Sequence, residues 1–420
     1  MNNMRTTYLR AQDIESSLAN TSQITFEVTD ACNLNCTYCG YGKFYSDHDD
    51  RENKRLPSSK VITFLKYLKQ LWESPLNNSY KKNVYISFYG GEPLLNMDLI
   101  KKVVNYVYNE MNCSTRVFTF SMTTNAILLH KYMDFLVENN FNLLISLDGD
   151  EYNTSYRVDR AGNPAFHKII ENVNALKYKH PEYFEQRVEF NAVLHNRNSV
   201  ESIYRYIKEN YNKIPSIGEL NNMGIRPEMQ KEFMATYRNS YESLHQSEHY
   251  DRIEKDMFIR SGTYQSVSTY LLQHSEFAFK NYNELLFGQF RETLIPTGTC
   301  VPFGKKVFIT VNGKILPCER IGHQFALGQL TDTAIEIDFE AIAKKYNNYY
   351  AKVDKQCKVC FNKTTCTQCI FNLSDIDKKN VSCHGYMSKK DFEIYRNNQL
   401  AFLASHPEDY HRIMTEVIVK

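Results

Sequence analysis

The sequence predicts an α/β fold, with a partial (β/α)6 TIM-like barrel followed by a cysteine-rich C-terminal domain. Three observations lead to this prediction. Strand-like and helix-like segments alternate between residues 21 and 225, a short polar motif follows each of the first four strand-like segments, and seven of the eleven cysteines fall between residues 300 and 383. Six strand–helix repeats predict a parallel sheet covered by helices, and six repeats are too few for a closed eight-stranded barrel.

The elements of this barrel follow one another in a regular order. The strand-like runs lie at residues 24–29, 84–88, 117–122, 141–147, 188–194 and, more weakly, 217–223. The first predicted helix has apolar residues at helical spacing, and Ser58 or Ser59 could cap it. The remaining predicted helices lie at residues 98–110, 130–138, 166–176 and 200–209.

Changes in composition divide the chain into four predicted regions. These are the barrel (1–225), a helical bridge (226–295), the cysteine-rich domain (296–385) and a helical tail (386–420). The first 20 residues show no clear pattern. Within the cysteine-rich domain, residues 306–316 contain Asn312-Gly313, which is the strongest short signal for a β-hairpin turn.

Composition limits the classes of function. A formal charge of +2 gives no argument for binding nucleic acid or an anionic membrane. No window approaches the ~20 apolar residues of a membrane span, and the N-terminus has no signal-peptide core. We therefore expect a cytoplasmic protein whose cysteines are metal ligands or catalysts rather than disulfides. The charged run 47–55 reads as a solvated loop.

The first strand leads into Cys32-Asn-Leu-Asn-Cys36-Thr-Tyr-Cys39. Three thiolates at this spacing can hold three irons of a four-iron cluster and leave the fourth iron without a protein ligand. This motif resembles the signature of the radical SAM enzymes, which bind S-adenosylmethionine (SAM) at that iron. The resemblance implies a SAM-binding [4Fe–4S] cluster. The alternatives are a zinc site that lacks a ligand and three structural cysteines.

Short polar motifs follow the next strands, and the resemblance gives them roles around SAM. The motif Gly90-Gly91-Glu92-Pro93 resembles the one that holds the amino group of SAM, and glycines allow close approach of the backbone. The other implied contacts to SAM come from Tyr38, Asn125, Ser146, Asp148 and Arg157. Asp148 counts with the three cysteines as a catalytic candidate, and Arg160 is an alternative to Arg157. Tight turns, a surface salt bridge and a core aromatic are the structural alternatives.

The C-terminal cysteines resemble the SPASM domain, an extension of radical SAM enzymes that carries two auxiliary [4Fe–4S] clusters. The implied ligands of the distal cluster are Cys357, Cys360, Cys366 and Cys383, and those of the proximal cluster are Cys300, Cys318 and Cys369. Cys366 and Cys369 are separated by two residues, where the family usually has three. The proximal cluster lacks one cysteine, so its fourth site would be open or taken by a substrate thiol, water or another side chain. Cys113 reads as structural, and a zinc ribbon is the competing interpretation.

The resemblance implies an enzyme that cleaves SAM reductively to a 5′-deoxyadenosyl radical, which takes hydrogen from an unactivated carbon. SPASM-containing members mostly modify peptides or proteins. The leading hypothesis is a maturase that installs a thioether or carbon–carbon crosslink in a ribosomally made peptide, with an electron donor such as flavodoxin or ferredoxin. The alternatives are a peptide epimerase, an anaerobic sulfatase maturase that makes formylglycine, and a non-enzymatic zinc-binding interaction protein. Only 31 residues precede Cys32, too few for an N-terminal leader-binding module.

Overall fold

A computed structural model describes residues 5–6, 8–77, 82–111, 116–258, 262–274, 293–363, 366–373, 376–378 and 381–418. Residues 275–292 of the predicted bridge lie outside the described residues, and so does Cys113. The chain divides into two compact units. We call residues 14–257 with 302–338 the barrel unit, and residues 1–13 with 258–301 and 339–420 the cysteine-rich unit. The predicted division into four regions stays a prediction.

Twelve strands occur in the described residues. They are β1 (Arg5–Thr6), β2 (Gln23–Thr29), β3 (Lys82–Gly90), β4 (Arg116–Thr124), β5 (Asn142–Ser146), β6 (Val188–Leu194), β7 (Ser216–Glu219), β8 (Thr293–Leu294), β9 (Val307–Ile309), β10 (Lys314–Leu316), β11 (Gly328–Leu330) and β12 (Ile335–Ile337). In the cysteine-rich unit, β1 pairs with β8 in parallel.

The barrel unit contains one mixed sheet with the strand order β12-β11-β10-β9-β2-β3-β4-β5-β6-β7. Neighbours from β2 to β7 are parallel. In the described residues the sheet ends at β12 and β7 and does not close. This confirms the predicted α/β class and the partial barrel. Because the strands are parallel, their C-terminal ends meet at one edge of the sheet, where ligands bind in such folds.

The predicted hairpin is present and extends the same sheet. β9 and β10 pair antiparallel on either side of Asn312-Gly313. β9 also lies parallel to β2, with Thr25 opposite Phe308. The hairpin therefore belongs to the barrel unit, which the sequence did not indicate.

Helices alternate with the parallel strands and bury one apolar face each. In the barrel unit the α-helices are Ser58–Trp72, Met97–Glu110, Leu129–Glu138, Phe166–Lys179, Pro181–Arg187, Val200–Tyr211, Gln230–Thr236, Ser240–His245 and Tyr250–Met257. The helix Ser58–Trp72 buries the five apolar residues whose spacing predicts it, which are Val61, Phe64, Leu65, Leu68 and Leu71. The residue before this helix is Pro57, and no side-chain cap is present, so the predicted serine cap is wrong.

The sequence analysis did not predict three helices of the described residues. One of them, Pro181–Arg187, lies directly before β6. Ala11–Ala19 lies in the segment that showed no pattern, and Phe339–Val359 leads into the Cys357-x-x-Cys360 pair. The remaining helices of the cysteine-rich unit are Gly262–His274, Lys389–Ser405 and Pro407–Arg412, followed by a π-helix at Ile413–Ile418. Among the described residues, no helix is both long enough and apolar enough to cross a bilayer.

Candidate functional site

A cavity of about 210 Å³ lies where the parallel strands of the barrel unit end. We call it the strand-end cavity. We call residues 32–39 the cysteine loop. The wall of the cavity contains the three thiols of this loop and seven other residues that the sequence predicts for the site. These ten residues are Cys32, Cys36, Cys39, Tyr38, Gly90, Gly91, Glu92, Asn125, Ser146 and Arg157. Two residues predicted for this site are missing from the described wall, and they are Asp148 and Arg160, the alternative to Arg157.

The cysteine loop is held over the strand ends by backbone hydrogen bonds. The amide of Asn35 donates to the carbonyl of Val158 at 2.7 Å, and the amide of Thr37 donates to that of Tyr156 at 3.2 Å. The loop then turns tightly, because the amide of Gly42 donates to the carbonyl of Cys39 at 2.7 Å. These bonds fix the backbone on which the three thiols are mounted.

Burial favours the neutral form of two thiols in the cysteine loop. Burial raises the pKa of Cys32 to about 11 and that of Cys36 to about 12. Both thiols are therefore neutral at pH 7 unless a bound cation favours the thiolate. In the described parts of the chain, no three His, Cys, Asp or Glu side chains converge tightly enough to hold a single ion.

The two glycines of the Gly-Gly-Glu-Pro motif are required by the chain itself. Gly90 has a φ of +137°, and a Cβ on it would lie 2.2 Å from the carbonyl oxygen of Thr29. A Cβ on Gly91 would lie 2.0 Å from the carbonyl oxygen of Ala31. The end of β3 therefore lies close to the end of β2 and the start of the cysteine loop, and the approach to a ligand stays a prediction.

Glu92 ties two strand-end motifs together. It is completely buried, and its carboxylate accepts hydrogen bonds from the Thr124 hydroxyl at 2.7 Å and from the amides of Asn125 and Leu94 at 2.8 and 3.1 Å. The side-chain amide of Asn125 in turn donates to Asn33 in the cysteine loop at 2.8 Å. Burial raises the pKa of Glu92 to about 7, although its three hydrogen bonds oppose the shift.

Asp148 acts on the cavity through Arg157. The guanidinium of Arg157 donates to both oxygens of Asp148, at 2.9 and 3.0 Å, and Asp148 is completely buried. Asp148 also accepts hydrogen bonds from the Tyr38 hydroxyl and from the Val193 amide. Its carboxylate is thus occupied by the protein, and it positions Arg157 and Tyr38, which do reach the cavity wall.

A buried histidine, not anticipated from the sequence, completes this network. His195 stacks on Tyr38 with ring centroids 5.3 Å apart, and its Nε2 lies 3.9 Å from Asp148. Burial lowers the pKa of His195 to about 4, so the ring is neutral at pH 7. A lone histidine at the end of a strand carries no sequence signal for this role.

The two remaining polar candidates differ in where they point. Ser146 donates to the side chain of Asn191 at 3.1 Å, and both residues belong to the wall of the strand-end cavity. Arg160 instead donates to the backbone oxygen of Cys32 at 3.0 Å and lines an adjoining cavity on the outer side of the cysteine loop.

Arg51 is a cavity residue that the sequence reasoning missed. Its guanidinium lies 4.3 Å from the ring centre of Tyr41, and it lines the strand-end cavity. Its Nε and Nη2 atoms are buried and have no hydrogen-bond partner among the described residues. The prediction of a solvated loop at 47–55 is therefore wrong for Arg51. The mixed charges of that run hid the residue.

A second cavity, of about 540 Å³, lies on one face of strands β2–β6. We call it the inner cavity. Its wall combines apolar residues with polar ones such as Ser87 and Ser121, whose hydroxyls are 2.7 Å apart. It also contains the ion pair Lys306–Glu319 at 2.9 Å. Tyr89 and Thr123 line both cavities, so the inner cavity adjoins the strand-end cavity.

The cysteine-rich unit has a cavity of its own. Four thiols line this four-cysteine cavity, and they are Cys357, Cys360, Cys366 and Cys383. Burial and the neighbouring thiols raise the pKa of Cys357 to about 12. The amide of Met387 donates to the sulfur of Cys360 at 3.4 Å. These are the four residues predicted for the distal cluster.

The three cysteines predicted for the proximal cluster belong to both units. Cys300 and Cys369 lie in the cysteine-rich unit, and Cys318 follows β10 in the barrel unit. Thr299, beside Cys300, accepts a hydrogen bond from the amide of Ile370 at 2.7 Å, which holds the two cysteine segments together.

Comparisons with known proteins agree with this geometry. The family described as the radical SAM superfamily matches residues 26–209. A cysteine-type anaerobic sulfatase-maturating enzyme of Clostridium novyi (strain NT) is 33% identical over 188 residues, which cover 42% of this chain and 45% of that enzyme. One of the same description from Clostridium perfringens (strain 13 / Type A) is 22% identical over 396 residues, covering 89% and 96%.

A solved structure described as native anSMEcpe with bound AdoMet and Cp18Cys peptide shares the fold. Its TM-score is 0.59 at 18% sequence identity, and the match covers 91% of this chain and 99% of that chain. At 33% identity, by contrast, the chain matches less than half the length of the C. novyi relative.

Proposed function

We propose that this chain, which carries a radical SAM domain over residues 26–209, uses SAM and a [4Fe–4S] cluster to oxidise a peptide or protein substrate. One observation carries the proposal. The three thiols of the cysteine loop share a cavity with the Gly-Gly-Glu-Pro turn and with Arg157, at the edge of the sheet where such folds bind ligands.

The donor set fits these cofactors. Cys32, Cys36 and Cys39 would hold three irons, and the fourth would accept SAM. Within the part of the chain that the structure describes, two buried guanidinium nitrogens of Arg51 have no hydrogen-bond partner at the cavity, which suits the carboxylate of SAM. Arg157 uses Nε and Nη2 for Asp148, which leaves Nη1 for the same carboxylate.

The amino group of SAM would meet backbone carbonyls of the turn at residues 90–92. The Glu92 carboxylate already accepts three hydrogen bonds from the protein. Its function in this proposal is to hold the turn and Asn125 in place. Asp148 is a positioning residue in the same sense, because it orients Arg157 and Tyr38.

Bound in this cavity, SAM and the cluster would supply a 5′-deoxyadenosyl radical, and auxiliary clusters would offer a place for the electron removed from the substrate. The protein's own contribution is to bring the substrate carbon close and to keep water away. The inner cavity adjoins the strand-end cavity and is lined by hydroxyls, amides and the Lys306–Glu319 pair. Such a wall suits a polar side chain of a peptide.

The product that we favour is a thioether or carbon–carbon crosslink within a ribosomally made peptide. It is supported by the ligand count: the predicted proximal set has three cysteines, so a substrate thiol has a free iron to bind. An electron donor such as flavodoxin or ferredoxin would supply the reducing electron.

A second candidate is the conversion of a sulfatase cysteine or serine to formylglycine. It requires a carboxylate near the substrate, and Glu319 in the wall of the inner cavity, paired there with Lys306, would be the candidate. The sulfatase-maturating relatives also favour it. The same substrate pocket would serve both products.

The test begins with reconstituted protein under nitrogen, with dithionite and SAM. We expect brown protein with about twelve irons per chain, if each of three clusters holds four, and release of 5′-deoxyadenosine. Cys36→Ala should release none. Colourless protein with bound zinc, or 5′-deoxyadenosine from Cys36→Ala at the wild-type rate, would refute the proposal.

The product is identified by co-expression with small peptides encoded beside the gene and with a sulfatase. A crosslink removes two hydrogens from the peptide and gives no reaction with a hydrazide. Formylglycine is an aldehyde and reacts with it. Epimerisation leaves the mass of the peptide unchanged in ordinary water and incorporates deuterium from deuterated solvent.

A further inference from the structure

Lysines are concentrated around the four-cysteine cavity. Residues 352–390 contain eight lysines and three aspartates, with no arginine or glutamate, whereas the whole chain has 50 basic and 48 acidic residues. Two of these lysines, Lys358 and Lys363, line the cavity together with its four thiols, and both are exposed. Lys358 pairs with Asp354 at 2.5 Å and still has 64% of its side chain exposed. The four-cysteine cavity therefore lies within a basic part of the surface.

Apolar side chains are exposed beside these lysines. Val359, Phe361 and Tyr386 are 60%, 39% and 43% exposed, and Tyr386 belongs to the cavity wall. The amide of Phe361 donates to the carbonyl of Met387 at 3.0 Å, which holds the segments of Phe361 and Tyr386 side by side. Exposed apolar groups that are surrounded by charged ones mark interaction surfaces. We call this surface the cavity rim, and its residues are Lys358, Val359, Phe361, Lys363 and Tyr386.

The position of the cavity rim indicates the kind of partner. The four thiols that it surrounds are those predicted for the distal auxiliary cluster, and an electron carrier has to approach a cluster closely to exchange an electron with it. A basic surface attracts an acidic protein over a distance, and apolar contacts then hold the two proteins together. Lysines that only balanced the charge of a bound cluster would not require exposed apolar side chains beside them.

We propose that the cavity rim docks a small acidic one-electron carrier of the flavodoxin or ferredoxin class, which takes up the electron removed from the substrate. This inference rests on the proposed function. In that reaction one electron is consumed when SAM is cleaved, and the substrate radical gives up one electron and one proton as the product forms. The oxidised carrier accepts this electron through the four-cysteine site, and no bond forms or breaks in the transfer.

The first experiment measures binding of an oxidised flavodoxin to the reconstituted full chain at several salt concentrations. Lys358→Glu/Lys363→Glu is compared with Lys131→Glu/Lys168→Glu, which makes the same change in net charge at exposed lysines of the barrel unit. Lys168, like Lys358, forms an ion pair within its own helix. We expect the rim variant to bind at least about tenfold more weakly and with a shallower salt dependence, while the control binds as wild type does.

The second experiment follows the electron. Protein that has been reduced with dithionite and freed of the reductant is mixed, without SAM, with oxidised flavodoxin, and the flavin semiquinone is followed by its absorbance. We expect Cys36→Ala to reduce the flavodoxin as wild type does and Cys357→Ala to fail. Tyr386→Ser should bind flavodoxin more weakly with the salt dependence of wild type. If Lys358→Glu/Lys363→Glu loses iron, the affinity of Tyr386→Ser decides, and an unchanged value overturns the inference.

Other results would also overturn the inference. They are equal affinities in the two lysine variants, equally tight binding of a basic cytochrome, and flavodoxin reduction by Cys357→Ala at the wild-type rate. A rim variant that loses binding of the substrate peptide but keeps binding of flavodoxin would make the rim a peptide site. Release of 5′-deoxyadenosine with dithionite needs no carrier, so its absence from wild type would count against the proposed function and not against the cavity rim.

Discussion

Thiols line both the strand-end cavity and the four-cysteine cavity, but the two cavities differ in the number of thiols, in their other lining residues and in volume. The strand-end cavity has three thiols, two arginines and the motifs that end β3, β4 and β5, around about 210 Å³. The four-cysteine cavity has four thiols around about 60 Å³. Metal sites that bind a substrate keep a coordination position open, and structural sites close theirs with protein ligands. From this comparison we propose cofactor chemistry for the first cavity and a closed cluster for the second.

The largest effects should come from removing one thiol from each of the two cavities. Cys36→Ala should lose about four of about twelve irons and all release of 5′-deoxyadenosine. Cys357→Ala should lose a similar amount of iron, still release 5′-deoxyadenosine and fail to complete the peptide product. Iron analysis, chromatography of the nucleoside and mass spectrometry of the peptide measure the three quantities. If both variants stop SAM cleavage equally with their remaining iron intact, the distinction between the two cavities is wrong.

Breaking the buried ion pair should damage the strand-end cavity alone. Asp148→Asn leaves the Arg157 guanidinium buried without a charged partner, which should lower the free energy of unfolding by about 3–5 kcal/mol and weaken SAM binding. Anaerobic denaturant titration and equilibrium binding of SAM measure both changes.

The matched control for Asp148→Asn is Glu171→Gln, which removes the exposed pair with Lys168. This change should alter the free energy of unfolding by less than about 1 kcal/mol, because exposed pairs contribute little. Equal losses in the two variants would show that Asp148 is not the anchor of the cavity.

The two cavities also differ in how completely the sequence predicts their residues. The alternation of strand-like and helix-like segments was enough to predict the α/β fold. The spacing of cysteines and the order of motifs predicted the thiols of each cavity and seven further residues of the strand-end cavity. Spacing along the sequence cannot show which partners a side chain contacts in the folded protein. Asp148 was expected at the cofactor and is instead covered by Tyr38 and Arg157. Arg51 was hidden in a run of mixed charges because its burial depends on Tyr41, ten residues away in the chain.

The pH dependence of stability should carry the signature of Glu92. Burial raises its pKa from 4.5 to about 7 in the folded protein. Between these values the folded state binds more protons than the unfolded state, so the contribution to stability present below pH 4.5 is lost as the pH rises to about 7. The shift corresponds to about 3 kcal/mol. Glu92→Gln should flatten this decline in a series of denaturant titrations from pH 5 to 8.

Glu27 offers a control within the same sheet. Burial also raises its pKa to about 7, and its carboxylate accepts a hydrogen bond from the Val311 amide instead of from a strand-end motif. Glu27→Gln should flatten the stability decline in the same way and leave the pH dependence of SAM binding as in wild type. Each variant keeps the other carboxyl and so should lose only part of the decline; a decline as steep as that of wild type in both variants would contradict the assignment to these carboxyls.

The smallest change that separates the two cavities is a single methyl group. A Cβ on Gly91 would lie 2.0 Å from the carbonyl oxygen of Ala31, and one on Gly298 would lie 2.0 Å from that of Cys366. Each alanine should lower the free energy of unfolding by about 2 kcal/mol through overpacking, but the functional losses should differ. Gly91→Ala should lower SAM affinity with the auxiliary iron retained, and Gly298→Ala should lower auxiliary iron with SAM affinity retained. Gly218→Ala, where no atom lies within 4 Å of the new Cβ, serves as the control. If Gly298→Ala weakens SAM binding as much as Gly91→Ala does, the two cavities depend on each other for their geometry, and the separation argued from their thiol counts does not hold.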